Sequence, residues 1–489
     1  MSRTVIIGAG ITGLTAAYYL QELGEADYSL LEASSRVGGK VTSFHENGFL
    51  IEGGPDSFLT QKTRTLSLCR DLGLSDQLIP SSSAQKPSTY IYSGGRMHPM
   101  PEGMMLMAPT MILPILRSRL LSWRGKLRMA LEIFVPPSNS TADESLASFV
   151  RRRLGSEVLD KIAAPLMAGI HAADPERLSL QSTFPMFAEL EKTCGSLAAG
   201  IARKKKSKAS APASAKPPSI FTSLSGGLQQ LTDAISNRLD SSSVRLNCRV
   251  TSVTKESGSY RIELWDGSSI SADNIVFTTP AYVTADLVQA IDPFLAAALR
   301  SIRYVTTATV SLGFKRSDLT CPLNGYGFIV PASEGRKISA CSWSSTKFTG
   351  RAPDDSVLMR VFIGSALSEK FAEQDEEPLI ELARKELREI LGITAVPTLA
   401  KSYRWRKAIP QYEVGHRARI ATIEQRVAMH PGLYIAGAAC HGAGIPDCVQ
   451  DGINTAAKIA EAQTDIENSY KLAPLHTSNS TWENAHAAR

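Results

Sequence analysis

The 489-residue chain offers cysteine no structural or metal-binding pattern. Its seven cysteines stand apart at 69, 194, 248, 321, 341, 440 and 448, with no CxxC pair and no His/Cys cluster at metal-ligand spacing. That excludes a disulfide scaffold and a metal site and implies free thiols in a reducing compartment. Long apolar runs are missing too. The longest, residues 104–116, holds thirteen residues with Pro109 and Pro114 inside it, too short to span a bilayer. It reads as a buried helical core segment, with capping of a pocket mouth or touching a membrane face as alternatives. No signal-peptide pattern is expected, because the chain enters a core strand at Thr4. No internal repeat occurs, and no basic–aromatic pattern of the nucleic-acid-binding kind. A net charge of +6 therefore suits an anionic small molecule or an anionic membrane surface.

What is present is ordinary in bulk: 43% apolar and 20% charged residues, in a length that asks for two or three domains. The information sits in the first forty residues. Thr4–Ile7 is a short apolar run, followed at once by Gly8-Ala9-Gly10-Ile11-Thr12-Gly13 and an apolar helical stretch to about Leu23. A second apolar run, Tyr28–Leu31, ends in Glu32, nineteen residues after Gly13. Strand, glycine turn, helix, strand and acidic residue come in the order of a dinucleotide site. Gly8 permits the tight turn, Gly10 lets backbone amides approach a pyrophosphate, and Gly13 lets the helix sit close to the strand. The helix N-terminus faces the diphosphate, and Glu32 suits a ribose hydroxyl while repelling a 2′-phosphate.

The motif alone does not separate NAD from FAD. The following segments do. Arg36-Val37-Gly38-Gly39-Lys40 and Gly53-Gly54-Pro55-Asp56-Ser57 have no use in a nicotinamide domain, whereas a flavin ring must rest on a backbone shelf beyond the diphosphate. A second glycine-rich strand-to-helix unit comes at 433–447, some 430 residues later, so the cofactor domain begins and ends at opposite ends of the chain. The helix start at Ile445-Pro446-Asp447 can aim its dipole at the flavin N1–C2=O edge. With no second GxGxxG, the substrate itself is expected to reduce the flavin and oxygen to take the electrons.

Between these ends the expected fold class is α/β and α+β: a Rossmann-like FAD domain split across the chain, a mixed-sheet substrate domain and a helical insertion. The expected division is FAD domain at 1–85, 219–281 and 430–462, helical insertion at 86–202, flexible loop at 203–218, substrate domain at 282–429 and disordered tail at 463–489. Residues 62–72 and 228–239 read as helices. Asn47-Gly48 and Ser93-Gly94-Gly95 read as hairpin turns. Residues 244–277 read as a meander whose last strand, 269–277, stops at a sheet edge before Thr278-Thr279-Pro280.

Together these residues resemble the protoporphyrinogen/coproporphyrinogen oxidase family within the monoamine-oxidase-like flavoproteins. The resemblance runs over residues 3–462 and is carried by Gly8 to Gly13, Glu32-Ala33 and Arg36 to Lys40. More specific are Gly54-Pro55-Asp56-Ser57-Phe58-Leu59, Met97-His98-Pro99-Met100-Pro101, Arg151-Arg152-Arg153-Leu154-Gly155, Pro165-Leu166-Met167-Ala168-Gly169-Ile170 and Leu178-Ser179-Leu180. Arg404-Trp405, Ile409-Pro410-Gln411-Tyr412, Gly415-His416 and Gly444-Ile445-Pro446-Asp447-Cys448 complete it. Several agree best with the Gram-positive branch, which oxidises coproporphyrinogen III to coproporphyrin III with oxygen and releases hydrogen peroxide.

The resemblance implies that FAD is held by Gly8, Ala9, Gly10, Ile11, Thr12, Gly13, Glu32, Ala33, Arg36, Gly39, Lys40, Gly54, Pro55, Asp56 and Ser57. Val250 would contact adenine, Trp405 would sit by the isoalloxazine, and Ile445, Pro446 and Asp447 would close the site. Six electrons would leave the porphyrinogen in three hydride transfers to flavin N5. No catalytic acid–base residue is expected; His98, His171 and His441 are candidates by type alone. Four propionates call for basic partners, and Lys62 matches a lysine of the Gram-positive relatives. Ile170 would line the pocket. The resemblance also implies a cytoplasmic enzyme of heme biosynthesis, peripheral contact with the inner face of the membrane through the helical part, and a downstream iron chelatase as partner. The rival within the family is a protoporphyrinogen IX oxidase. A non-catalytic escort protein of the same fold is the reading from another class, and an intact flavin site weighs against it.

Overall fold

The computed structural model describes residues 2–472 apart from 26, 83–87, 106, 110, 141, 210–218 and 257. Its frame is a five-stranded parallel sheet. β1 (Thr4–Ile7) lies at the centre, with β2 (Tyr28–Leu31) and then Val244–Arg245 on one side, and Asn274–Phe277 and then Leu433–Ile435 on the other. All four residues of β1 are buried, which is why they read as an unbroken apolar run rather than an alternating one. The helix α1 (Ile11–Glu22) buries nine of its twelve residues because it is covered on two sides. The sheet lies on one, and the C-terminal helix Ile445–Leu472 packs on the other. The two helices meet through small residues: a Cβ on Gly452 would stand 2.7 Å from the carbonyl oxygen of Thr12. The first and last parts of the chain are thus one core, shared by Leu14, Leu20, Val449 and Ile459. Each such side chain, fully buried, contributes about 1.5–3 kcal/mol.

The expected strand 269–277 divides in two. Ser269–Ala272 closes a three-stranded antiparallel meander with Val250–Glu256 and Ser259–Leu264. The chain then pivots at Asp273, whose carboxylate accepts from the Arg3 amide at 2.8 Å. Asn274–Phe277 enters the parallel sheet between β1 and Leu433–Ile435. Thr278 therefore sits above a central strand and not at a sheet edge.

A seven-stranded sheet forms the second layer, in the order Leu399–Pro410, Tyr304–Lys315, Ser356–Ile363, Ile338–Trp343, Gly325–Ile329, Ser88–Ser93, Arg96–Pro99. The hairpin 88–99 thus belongs to this sheet rather than to the helical insertion. Helix Glu376–Leu391 covers one face through Leu379, Ala383 and Leu387. The helices of residues 112–209 cover the other, packing on Ile91, Ile329 and Ala340. Inside that helical part the motif Arg151 to Gly155 is structural. Arg153 is fully buried, ion-paired with Glu132, and donates to the carbonyl of Val135 at 2.8 Å. Arg152 binds Glu191 at 2.5 Å and Glu144 at 2.8 Å.

Two expectations of irregular chain give way to helix. Leu197–Ala209 is helical through Arg203, Lys204, Lys205 and Lys206, where a flexible loop is expected; 210–218 lie outside the described residues. The C-terminal helix runs to Leu472, past the expected end at 462; the rest of the expected tail, 473–489, also lies outside them. The first extension is rich in helix-forming Ala and Lys, so propensity carries it although its sequence offers little to bury; the second continues the end of an already formed helix. Among the described residues no helix is long and apolar enough to cross a membrane.

Candidate active site

The turn after β1 has the geometry its glycines imply. Gly8 has φ +104°, a conformation that side chains resist. A Cβ on Gly13 would lie 2.0 Å from the Gly8 carbonyl oxygen, so α1 crosses the strand end with no room to spare. A Cβ on Gly10, by contrast, would meet nothing within 4 Å. That open side is where a diphosphate fits, against a helix start that has no side-chain cap and no acidic residue in its first turn. Thr278 locks the turn from the neighbouring central strand: its hydroxyl donates to the Gly8 carbonyl at 2.7 Å. Glu32 stands at the end of β2 and accepts from the Ala9 amide at 2.8 Å and the Ser34 amide at 2.9 Å. Ala33 beside it is exposed.

The loop 36–40 is folded onto this turn. Gly38 donates to the Ala9 carbonyl at 2.8 Å, and a Cβ on Gly39 would touch the Gly10 Cα at 3.3 Å. Arg36 turns inward, its guanidinium donating to the carbonyls of Val37 at 3.0 Å and Gly39 at 2.6 Å. Its role is therefore to shape the loop. Lys40 reaches solvent yet is walled in by protein, and this desolvation lowers its pKa; its ammonium donates to the Ala408 carbonyl at 2.5 Å.

The segment 53–57 packs next. A Cβ on Gly54 would lie 1.8 Å from the Lys40 carbonyl oxygen. The second sheet clamps this shelf. Trp405 donates its indole N–H to the Gly53 carbonyl at 2.7 Å, and Arg360 donates to the Gly54 carbonyl at 2.5 Å. Beyond Pro55, Asp56 accepts from Lys347 at 3.0 and 3.1 Å and from the Ser57 hydroxyl at 2.6 Å. Burial alone would raise the Asp56 carboxyl; the charges of Lys347 and Arg360 outweigh it and hold the group well below the usual carboxylate range. Asp56 and Trp405 thus act as supports of the shelf. Thr278, Lys347 and Arg360 escaped sequence reasoning. The available signal was Arg360, a charge in the middle of the apolar run Ser356–Ile363.

The opposite wall is the start of the C-terminal helix. Ile445 and Pro446 are buried, and Asp447 accepts from Lys62 at 2.5 Å. The residue expected to meet substrate and the residue expected to close the cofactor site are therefore one ion pair, with the Lys62 side chain 49% exposed. His171, at the end of helix Ala164–His171, is held down to about 4 by burial, with the Lys62 charge adding to the effect. Ile170 beside it is exposed, so its side chain is free to line an open mouth but packs no helix end. Val250 stands apart at the start of its strand; its tie to the site runs through Cys248, whose amide donates to the Glu32 carbonyl at 2.8 Å. His98 faces the Ser93 carbonyl at 3.1 Å within its own hairpin. An open cleft of about 910 Å³ lies elsewhere, between 334–337 and the helix Glu376–Leu391, and contains none of these residues.

Open space at Gly10, an uncapped helix start, a carboxylate at the tip of β2 and a backbone shelf beyond fit a flavin dinucleotide. The comparisons agree. A family model for flavin-containing amine oxidoreductases matches residues 11–460. A coproporphyrinogen III oxidase of Bacillus subtilis (strain 168) is 34% identical over 456 residues, covering 92% of this chain and 96% of that protein. The protoporphyrinogen oxidase 2 of Arabidopsis thaliana, chloroplastic/mitochondrial, is 29% identical and covers 96% of each chain. A crystal structure from Exiguobacterium sp. 255-15, provisionally named a protoporphyrinogen oxidase, superposes with a TM-score of 0.83 at 31% identity, over 94% of this chain and 99% of that one. The chain belongs to the flavin-containing amine oxidoreductase family, on its protoporphyrinogen/coproporphyrinogen oxidase branch, and its cofactor is FAD.

Proposed function

We propose that the protein oxidises coproporphyrinogen III to coproporphyrin III with oxygen as acceptor, releasing hydrogen peroxide, as a step of heme biosynthesis. The observation that carries this reading is full-length similarity to bacterial proteins of that activity, combined with a lysine at the site mouth. Bound FAD supplies a two-electron acceptor that oxygen regenerates, so three turnovers remove six electrons. The chain's own residues bind and orient. The glycine turn and Glu32 would hold the dinucleotide, and the clamped shelf 53–57 would support the flavin beyond it. Lys62 takes a propionate in exchange for Asp447. His98 is spent on a hairpin, and His171 is neutral at pH 7, so neither serves as a proton donor there.

The second reading is protoporphyrinogen IX, favoured by the plant relatives. Anaerobic mixing with each porphyrinogen, followed by flavin bleaching, separates the two. Faster, saturable bleaching by coproporphyrinogen III is expected. Faster bleaching by protoporphyrinogen IX moves the assignment, and bleaching by neither refutes the porphyrinogen reading.

The same reading places the helical part on a membrane surface. Segment 111–134 leaves Met111, Leu113, Trp123, Leu127 and Phe134 exposed, Trp123 by 73% and Phe134 by 75%, beside the exposed Arg117, Arg119 and Arg124. Co-sedimentation with anionic vesicles is expected and is lost in Trp123→Ala/Phe134→Ala. Equal sedimentation of this variant would refute it.

A further inference from the structure

His441 is a histidine for which neither motif nor resemblance supplies a role, and it lies between two carboxylates. It sits on the turn 436–444, between the last parallel strand and the C-terminal helix. Its Nδ1 lies 3.0 Å from Asp451 Oδ1 on that helix, and its Nε2 lies 3.2 Å from Glu424 Oε1 on helix His416–Ala428. A neutral imidazole has one N–H to give, whereas two carboxylates require two. The ring is therefore an imidazolium, and the hydrogen bond to Asp451, with Glu424 adding to it, pushes its pKa up to about 9. Of the other titratable groups nearby, His416 is lowered to about 4 by burial, with the Arg419 charge adding to the effect, and stays neutral, while burial pushes the Cys440 thiol up, so it stays protonated.

Asp451 makes this more than a surface cluster. It is 9% exposed, and its other oxygen accepts from the Gly437 amide at 2.6 Å. Gly437 has φ +119°, and a Cβ there would stand 3.7 Å from the Thr12 hydroxyl in the first turn of α1. Asp451 thus anchors the closing turn against the helix start that receives the diphosphate. An uncompensated carboxylate so close would oppose an anionic ligand.

We propose that His441 is a positioning residue for FAD: as an imidazolium it ties the turn 436–444 to both flanking helices and cancels the charge of Asp451 beside the diphosphate site. The raised pKa means the effect is present at neutral pH and lost as pH rises through about 9.

The test is the FAD dissociation constant of the purified holoprotein between pH 6 and 10, read by recovery of free-flavin fluorescence, with far-UV circular dichroism as the folding control. In the wild type, affinity is expected to hold to pH 8 and to fall about tenfold beyond pH 9, the scale of one charge-assisted hydrogen bond. His441→Gln is expected to be about tenfold weaker already at pH 7 and to lack the alkaline step. His441→Arg keeps the charge, so it should hold wild-type affinity at pH 10. A His441→Gln variant that matches the wild type at pH 7 overturns the proposal. So does a His441→Arg variant that falls with the wild type at high pH, and this arm decides alone if His441→Gln does not fold. A wild-type protein that binds no FAD refutes the cofactor assignment and the proposal with it.

Discussion

The clamp behind the flavin shelf can be tested by Lys347→Met, which keeps the length of the side chain and removes its charge. Lys347 is buried, lies 3.0 Å from Asp56, and also rests against the rings of Phe221 and Phe348. The variant leaves Asp56 enclosed with Arg360 and Ser57 as remaining partners. Breaking one side of a buried ion pair costs about 3–5 kcal/mol, and Arg360 keeps the loss near about 3 kcal/mol. For 489 residues at about 2.1 cal/mol/K each, that lowers the unfolding temperature by about 3 °C if the chain unfolds as one unit. FAD retention should fall as well, because the shelf loses a fastener.

Two controls separate this account from simple loss of packing. Adding Asp56→Asn removes the stranded charge, so the double variant should be less destabilised than the sum of the two singles. The second control is pH. In the wild type the depressed Asp56 carboxyl contributes stability above its unfolded pKa of about 3.9, and that contribution is lost as pH falls through the folded value. In Lys347→Met, burial is less opposed and the carboxyl moves up, so the deficit is present at pH 7 and shrinks towards about pH 4. Thermal unfolding at pH 7 and pH 4.5 reads both. A single variant as stable as the wild type, or a double variant that is strictly additive, would refute the reasoning.

Gly13→Ala would force a Cβ to within 2.0 Å of the Gly8 carbonyl oxygen, so the purified variant is expected to be colourless; stoichiometric flavin absorbance would contradict the turn geometry. Lys62→Ala should raise KM for coproporphyrinogen III by about tenfold with little change in flavin content, as loss of one charge-assisted contact implies. An unchanged KM in steady-state assays would remove Lys62 from the substrate site. Arg153→Met strands the buried Glu132 and should cost about 3–5 kcal/mol, read as faster limited proteolysis within the helical part; unchanged proteolysis would deny the pair that role.

The parts of the site legible in the sequence are those where the backbone itself is constrained. Gly8, Gly13 and Gly54 have no substitute at a positive φ or beside a carbonyl oxygen, so each leaves a mark that needs no knowledge of its partner. The fasteners leave no such mark. Lys347 lies 291 positions from Asp56, so nothing local distinguishes it from a surface cation, and Arg360, 306 positions from Gly54, shows only that a charge interrupts an apolar run and not what it holds. Edge strand Leu399–Pro410 leaves no strand signal in the sequence for a related reason. It carries Lys401, Arg404, Arg406 and Lys407, and an edge strand can expose such residues without the alternation that marks a half-buried one. The burial of Asn274–Phe277 at the sheet centre was hidden because its apolar run joins that of Ser269–Ala272 across a single Asp273.

Lys62 shows where resemblance and structure must be read together. Resemblance supplies the residue as a carboxylate partner but says nothing of what holds it before substrate arrives. The structure supplies Asp447, at 2.5 Å, in the first turn of the helix that closes the cofactor site. A propionate reaching Lys62 therefore exchanges with a carboxylate already present, and the released Asp447 lies at a helix N-terminus, where negative charge is favoured by about 0.3–1 kcal/mol. Exchange of one carboxylate for another leaves the charge at Lys62 compensated throughout and confines the cost to Asp447. Asp447→Asn then distinguishes the two views. If exchange governs binding, the variant frees Lys62 and lowers KM for coproporphyrinogen III while Lys62→Ala raises it. If the pair merely braces the site, both variants raise KM and both weaken FAD.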